Sequence, residues 1–177
     1  VQRMRHIVER LTWKRAHSTW SDYADCNTYN ADDRDRKRRF VQQAAAARHR
    51  GVVWDLGCNT GEYSRAVSEY ADRVVSVDAD HLAIERLYRA LKADGNRTIL
   101  PLVGDLTNPT PGLGWRNKER QAFTDRSRPD LILALALVHH LAIARNVPLP
   151  DLIAWLASFG ADVVVEFVSP EDAMVRR

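Results

Sequence analysis

Apolar positions recur along the chain with two different periods. Met4, Ile7, Val8 and Leu11 fall at three- and four-residue spacing and predict a helix with one apolar stripe. A polar stretch rich in aromatics follows, holding Trp13, Trp20, Tyr23 and Tyr29 among Ser, Asp and Asn. Asp32 or Asp33 can cap a second helix that runs toward Arg50 through the alanines at 44–47. From Gly51 short apolar runs alternate with helix-spaced segments. The runs at 52–56, 74–78, 99–103, 131–136 and 163–167 predict strands. Between them, Tyr63, Ala66, Val67 and Tyr70 predict one helix, and Ala83, Ile84, Leu87 and Leu91 another, closed at Gly95. Leu152, Ile153, Leu156 and Phe159 predict a third, closed at Gly160.

Strands that alternate with helices imply a mostly parallel sheet with helices on both faces. The strands are continuous apolar runs, as burial on both faces requires. The expected fold class is therefore α/β, a doubly wound Rossmann-like sheet preceded by an N-terminal helical segment. Residues 1–50 read as a helical arm or lid and residues 51–177 as the main domain. The connection at 107–129 is long and polar, with Pro109, Pro111, Gly112 and Gly114, and connections of this kind are often functional.

Composition narrows the class. The 177 residues are 45% hydrophobic and 28% charged, enough for one domain with its own core. Eight glycines and seven prolines exclude a collagen-like or low-complexity chain. No apolar run reaches the roughly 20 residues of a membrane span, so no membrane partner is expected. Two cysteines, Cys26 and Cys58, make no disulfide framework, and with no secretory signal in view a cytoplasmic setting is expected. The net charge is +3, unevenly spread: residues 1–50 hold 12 Lys and Arg against 6 Asp and Glu, residues 51–177 hold 14 against 17. A basic arm can attract a polyanion or can be a solvated helical face. The interleaving of Asp32, Asp33 and Asp35 with Arg34, Arg36, Lys37, Arg38 and Arg39 weakens the polyanion reading.

In open α/β sheets a ligand lies beyond the carboxyl ends of the strands. After the first strand comes Asp55-Leu56-Gly57-Cys58-Asn59-Thr60-Gly61, a turn whose glycines permit close backbone approach and which opens a helix. Asp78 ends the second strand, 21 residues beyond Gly57, where a carboxylate can accept both ribose hydroxyls. Gly104-Asp105 ends the third strand and supplies an acceptor suited to an adenine amino group.

These stations, with Asp130-Leu131-Ile132-Leu133-Ala134 after them, resemble the class I S-adenosylmethionine-dependent methyltransferases over residues 51–168. The resemblance implies S-adenosyl-L-methionine as cofactor, with the glycine loop against its methionine part, Asp78 at the ribose and Asp105 at the adenine. The implied contact set is Asp55, Gly57, Cys58, Asn59, Thr60, Gly61, Asp78, Ala79, Gly104, Asp105, Leu106 and Ala134. Trp115, Glu119, Arg120 and the run at 135–141 look more distantly like a subgroup similar to rhizobial nodulation methyltransferases. The family loop more often has Gly where Asn59 stands, and Asn tolerates that backbone conformation. The family sheet has seven strands, so the chain reads as missing two C-terminal edge strands.

His139 and His140 follow the fourth strand, where the methyl acceptor of such an enzyme lies. Either can act as a general base, pack beside the cofactor, or cap a helix. No metal site is expected, because no Cys, His or carboxylate cluster has ligand spacing. Cys58 reads as a small wall residue or as a thiol activated at a helix start. The expected function is methyl transfer by in-line displacement to an unidentified acceptor: a small molecule, a sugar or RNA. No Asp/Asn-Pro-Pro-aromatic run follows the fourth strand, which disfavours amino methylation of DNA bases. A nicotinamide dehydrogenase fails because Cys58-Asn59-Thr60 separates the glycines and breaks G-x-G-x-x-G. The surviving alternative is a non-catalytic module that binds RNA or a protein through residues 1–50.

Overall fold

Residues 2–11 and 31–169 are described by a computed structural model. The aromatic stretch from Trp13 to Tyr29 lies outside the described residues. Helix α1 spans Gln2–Glu9 and α2 spans Ala31–Ala46. They are followed by β1 Arg50–Leu56, α3 Glu62–Val67, β2 Ala71–Asp78, α4 His81–Ala93, β3 Ile99–Val103, β4 Leu131–Ala134, α5 Leu149–Ala157 and β5 Asp162–Val165. Every pairing is parallel and the strand order is β3-β2-β1-β4-β5. The order reverses direction beside β1, which opens the crevice between the carboxyl ends of β1 and β4.

Alternation along each strand builds two cores. Val53, Val74, Leu131 and Leu133 pack with Val41, Ala45, Val67, Leu87 and Leu91 of α2, α3 and α4. Trp54, Leu56, Val77, Ile132 and Ala134 face the other way and meet Leu156, with Trp155, Phe159 and Phe123 around them. Trp54 is 1% exposed, its ring centroid 5.1 Å from Phe123 and 4.9 Å from Phe159, and its indole N–H donates to Ser127 Oγ at 3.1 Å. Losing a buried Trp side chain of this kind costs about 3–5 kcal/mol. The irregular connection between β3 and β4 therefore has a core side: it carries Phe123 onto this second face.

Val41 and Ala45 have no exposed surface and β1 begins at Arg50, so a boundary at Gly51 falls inside β1 and residues 31–50 are packed with the sheet. The amino rim of the sheet is closed by polar bonds. Arg50, 1% exposed, donates to Asp162 Oδ2 at 2.6 Å, to the carbonyl of Asp130 at 3.1 Å and to that of Ala44 at 2.7 Å. The Asp130 carboxylate accepts the amides of Gly51 and Val52. No helix among the described residues is long and apolar enough to cross a membrane.

Some elements end earlier than their periodicity suggests. The stripe through Tyr70 leaves α-helical geometry after Val67 and finishes as a tight turn at Ser68–Tyr70. The fourth run stops pairing at Ala134, because Ala136 takes φ 48° and turns the chain away from the sheet. The fifth ends at Val165.

Candidate functional site

The glycine loop is held at the carboxyl end of β2. The amides of Gly57 and Cys58 both donate to the carbonyl of Val77, at 2.8 and 3.1 Å. Gly57, Asn59 and Gly61 have φ of 74°, 49° and 80°, a run of left-handed residues in which only Asn59 has a side chain. A Cβ on Gly61 would stand 2.5 Å from Leu87 Cδ1, so this glycine is also what lets α4 approach the start of α3.

Three acids converge on this loop to different degrees. Asp55, at the end of β1, is 2% exposed. It accepts from Ser64 Oγ at 2.5 Å, and Ser64 Oγ in turn accepts from Ser76 Oγ at 2.8 Å. Burial pushes its carboxyl up to about 6 against the opposing Ser64 hydroxyl bond. Asp78 ends β2 and is partly buried. Its Oδ2 accepts the Asn59 amide and its Oδ1 the Asp80 amide, both at 2.8 Å. Burial raises its pKa from the ordinary value, opposed by those backbone bonds. The Ala79 amide also acts on this carboxylate, which keeps lone-pair capacity for a further donor. Asp105 is tied to the group through Gly104, whose amide donates to the Asp78 carbonyl at 2.9 Å. Its own carboxylate turns toward Thr107, accepting the amide at 2.9 Å and the hydroxyl at 2.7 Å, with Arg145 Nη2 at 3.4 Å. The Thr107 hydroxyl bond is the main reason its pKa lies below the ordinary value. Asn59 is thus bonded directly to Asp78 and Gly57 to the neighbouring Val77, Asp55 is anchored to α3 through Ser64, and Asp105 stands beside them as a turn-forming acid.

Of the other expected contacts, Thr60 and Leu106 are partly buried, Ala79 is exposed, and Ala134 is fully buried at the end of β4. Cys58 is 7% exposed, and burial with the negative charges of Asp55 and Asp78 pushes its thiol far up. It stays protonated, a wall residue and not a nucleophile. His139 and His140 lie beyond β4 with ring centroids 4.0 Å apart, both partly buried. They open a single π-helical turn, His140–Ala144, a geometry frequent at functional sites. The turn before it packs on the loop, since a Cβ on Gly57 would meet Leu137 Cδ1 at 3.0 Å. Trp115 is 77% exposed at the tip of a small hairpin closed by the Leu113–Arg120 bridge.

Sequence reading overlooked three features. Ala136 is a non-glycine residue in the left-handed region at the mouth of the crevice. Arg145 reaches back to Asp105. Lys37 of α2 forms an ion pair of 2.6 Å with Glu166, which follows β5, and lies 4.8 Å from the centre of the Tyr63 ring. Only Lys37 left a trace in the sequence: it shares a four-residue spacing with the inward Val41 and Ala45.

Solved structures with this architecture include methyltransferases. A methyltransferase from Aquifex aeolicus described as S-adenosylmethionine-dependent superimposes with a TM-score of 0.50 at 15% identity, over 72% of this chain and 62% of that one. The fold is that of the class I methyltransferases. The bifunctional kinase-methyltransferase WbdD gives a TM-score of 0.56 at 18% identity, over 96% of this chain and 36% of that one. In sequence the chain is similar to nodulation protein NoeA of Rhizobium meliloti (strain 1021), 41% identical over 162 residues, or 90% of this chain. This agrees with the nodulation resemblance of the run at 135–141. The chain spans about a third (34%) of the length of that curated relative. No family model matches the sequence.

Proposed function

We propose that this chain is an S-adenosylmethionine-dependent methyltransferase domain acting on an unidentified acceptor. The observation that carries the reading is the Asp78 carboxylate, oriented at the loop by the amides of Asn59 and Asp80. It fits a ribose hydroxyl, because its position is set by backbone while lone-pair capacity remains. Gly57 and Gly104 let Leu137 and Val77 pack close, since a Cβ on either would stand 3.0 Å from those side chains.

Bound S-adenosylmethionine supplies a methyl group activated by its sulfonium charge. The residues of this chain supply alignment and exclusion of water. Asp55 fixes the first turn of α3 through Ser64 and so sets the loop. Asp78 orients the sugar, and Asp105, on releasing Arg145, faces the base. His139 and His140 stand on the β4 side of the crevice, where either can take a proton from the acceptor. A small molecule, a sugar or RNA remains compatible as acceptor.

The non-catalytic reading draws less support. Within the basic segment, Arg34 is bound bidentately by Glu62, Lys37 by Glu166 and Arg50 by Asp162, while Arg36 pairs with Asp33. These charges are engaged within the fold and not displayed as a polyanion surface. Calorimetric titration of the whole chain with S-adenosylhomocysteine is the test. Saturable one-to-one binding is expected, and no heat of binding by folded protein would end the enzyme reading.

A further inference from the structure

Helix α1 carries an apolar stripe that stands in water. Met4, Ile7, Val8 and Leu11 are 66, 49, 61 and 72% exposed, and no residue of α1 is buried. The coil continues past Glu9: the Arg10 amide donates to the Ile7 carbonyl at 3.2 Å and the Leu11 amide to that of Val8 at 3.1 Å, which brings Leu11 onto the stripe. A helix this short is marginal by itself and draws its stability from covering such a face.

The charges around the stripe indicate what covers it. At about 100° per residue, the four apolar side chains fill an arc of about 100°. Arg3 and Arg10 border that arc on one side and Arg5 on the other. Glu9, the one acid of α1, lies opposite the stripe with Gln2 and His6, and its carboxylate accepts from Arg5 Nε at 2.8 Å. Lys14 and Arg15 come next in the sequence, and no further acid occurs before Asp22.

A polyanion such as RNA would meet these arginines and leave the stripe in water. A bilayer surface with anionic headgroups uses both features. The stripe enters the boundary of the acyl chains, and the bordering arginines lay their stems along it and place their guanidiniums among the phosphates. The acid then faces water. Lying on a bilayer requires no 20-residue span, so the absence of a crossing helix among the described residues leaves this face unaccounted for.

We infer that α1 is an interfacial helix that attaches this chain to anionic lipid surfaces, with Met4, Ile7, Val8 and Leu11 in the acyl boundary and Arg3, Arg5 and Arg10 at the headgroups. Four side chains give reversible attachment that salt weakens, not permanent insertion. Attachment and methyl transfer use separate residues, so either holds without the other.

Flotation of the full chain with two kinds of vesicle tests this: phosphatidylcholine alone, and an equal mixture of phosphatidylcholine and phosphatidylglycerol. The native chain is expected to bind the mixed vesicles at least tenfold more tightly, and to lose most of that binding when salt is raised from about 0.1 M to about 0.5 M. Ile7→Gln with Val8→Gln keeps every charge and is expected to weaken binding tenfold or more. Arg5→Gln with Arg10→Gln keeps the stripe and is expected to weaken it at least fivefold. All four positions are exposed, so both variants are expected to unfold at the urea concentration of the native chain. Arg38→Gln with Arg39→Gln, which removes exposed charge from α2, is expected to stay within twofold. Equal binding to both vesicles would overturn the inference. So would full binding by the Ile7 and Val8 variant, the mark of a general polyanion site, or an equal loss in the Arg38 and Arg39 variant. A native dimer that the Ile7 and Val8 variant abolishes, with no chain carried by either vesicle, would overturn it in favour of a second copy on the stripe.

Discussion

Replacing Asp55 by Asn isolates the cost of a buried carboxylate at the site. Asp55 is 2% exposed and its folded pKa is about 6, against 3.8 for the free side chain. Burial is the main cause, and the negative charge of Asp78 adds to it. The folded value is the higher one, so between pH 4 and 6 the native state binds a proton that the unfolded chain has released. Stability therefore falls as pH rises through this window and levels off above it. Two pKa units at about 1.4 kcal/mol each amount to about 3 kcal/mol of stability lost at pH 7 relative to pH 4. Asn keeps an oxygen for the Ser64 hydroxyl and cannot ionise. Asp55→Asn is thus expected to match the native chain at pH 4 and to be more stable at pH 7, by up to about 3 kcal/mol. Urea unfolding of both proteins at pH 4, 5, 6 and 7 measures the difference directly. A difference that stays flat within about 0.5 kcal/mol across the series would refute the reasoning.

Further outcomes follow from single contacts. Asp78→Ala removes a charge-assisted bond to a ribose hydroxyl and should weaken S-adenosylhomocysteine by about 2 kcal/mol, roughly 30-fold, by calorimetry; unchanged affinity would remove Asp78 from the site. Gly61→Ala meets both a φ of 80° and Leu87 Cδ1 at 2.5 Å. It should destabilise the fold by about 2 kcal/mol in urea unfolding, and a loss below about 0.5 kcal/mol would contradict the packing role. Arg50→Met removes the buried bonds to the carbonyls of Ala44 and Asp130 and the ion pair with Asp162, and should cost about 3 kcal/mol, with cofactor binding intact at temperatures where the variant is folded. Loss of binding ahead of unfolding would show that the amino rim communicates with the site.

How far the sequence could be read depended on the range of each interaction. The strands were legible because burial on both faces leaves few polar positions in Leu131–Ala134 or Val74–Val77, whatever lies next to them. The loop was legible because positive φ restricts the residue types at positions 57, 59 and 61. The acids at strand ends were legible by position, yet the local reach of Asp105 to Thr107 decides its orientation, and a turn of two residues competes directly with a role toward a ligand. Lys37 was hidden for the opposite reason. It sits within an alternating charge run, Asp32 to Arg39, that looks solvated throughout, and its partner is 129 residues away. Ala136 was hidden because alanine carries no mark of left-handed backbone.

The Arg50 clasp gives the two rims of the sheet opposite characters. One rim is riveted by a guanidinium that joins the start of β1, the approach to β4 and the start of β5. Its counterpart is made of turns, a π-helical coil and ion pairs between distant segments. Loops on the riveted side can change little without loosening the sheet, while those on the other can be rewritten for a new acceptor with the scaffold left standing. Variation that retunes substrate choice is therefore expected to gather at the connections after β3, β4 and β5, and the approach to β1 to tolerate little of it.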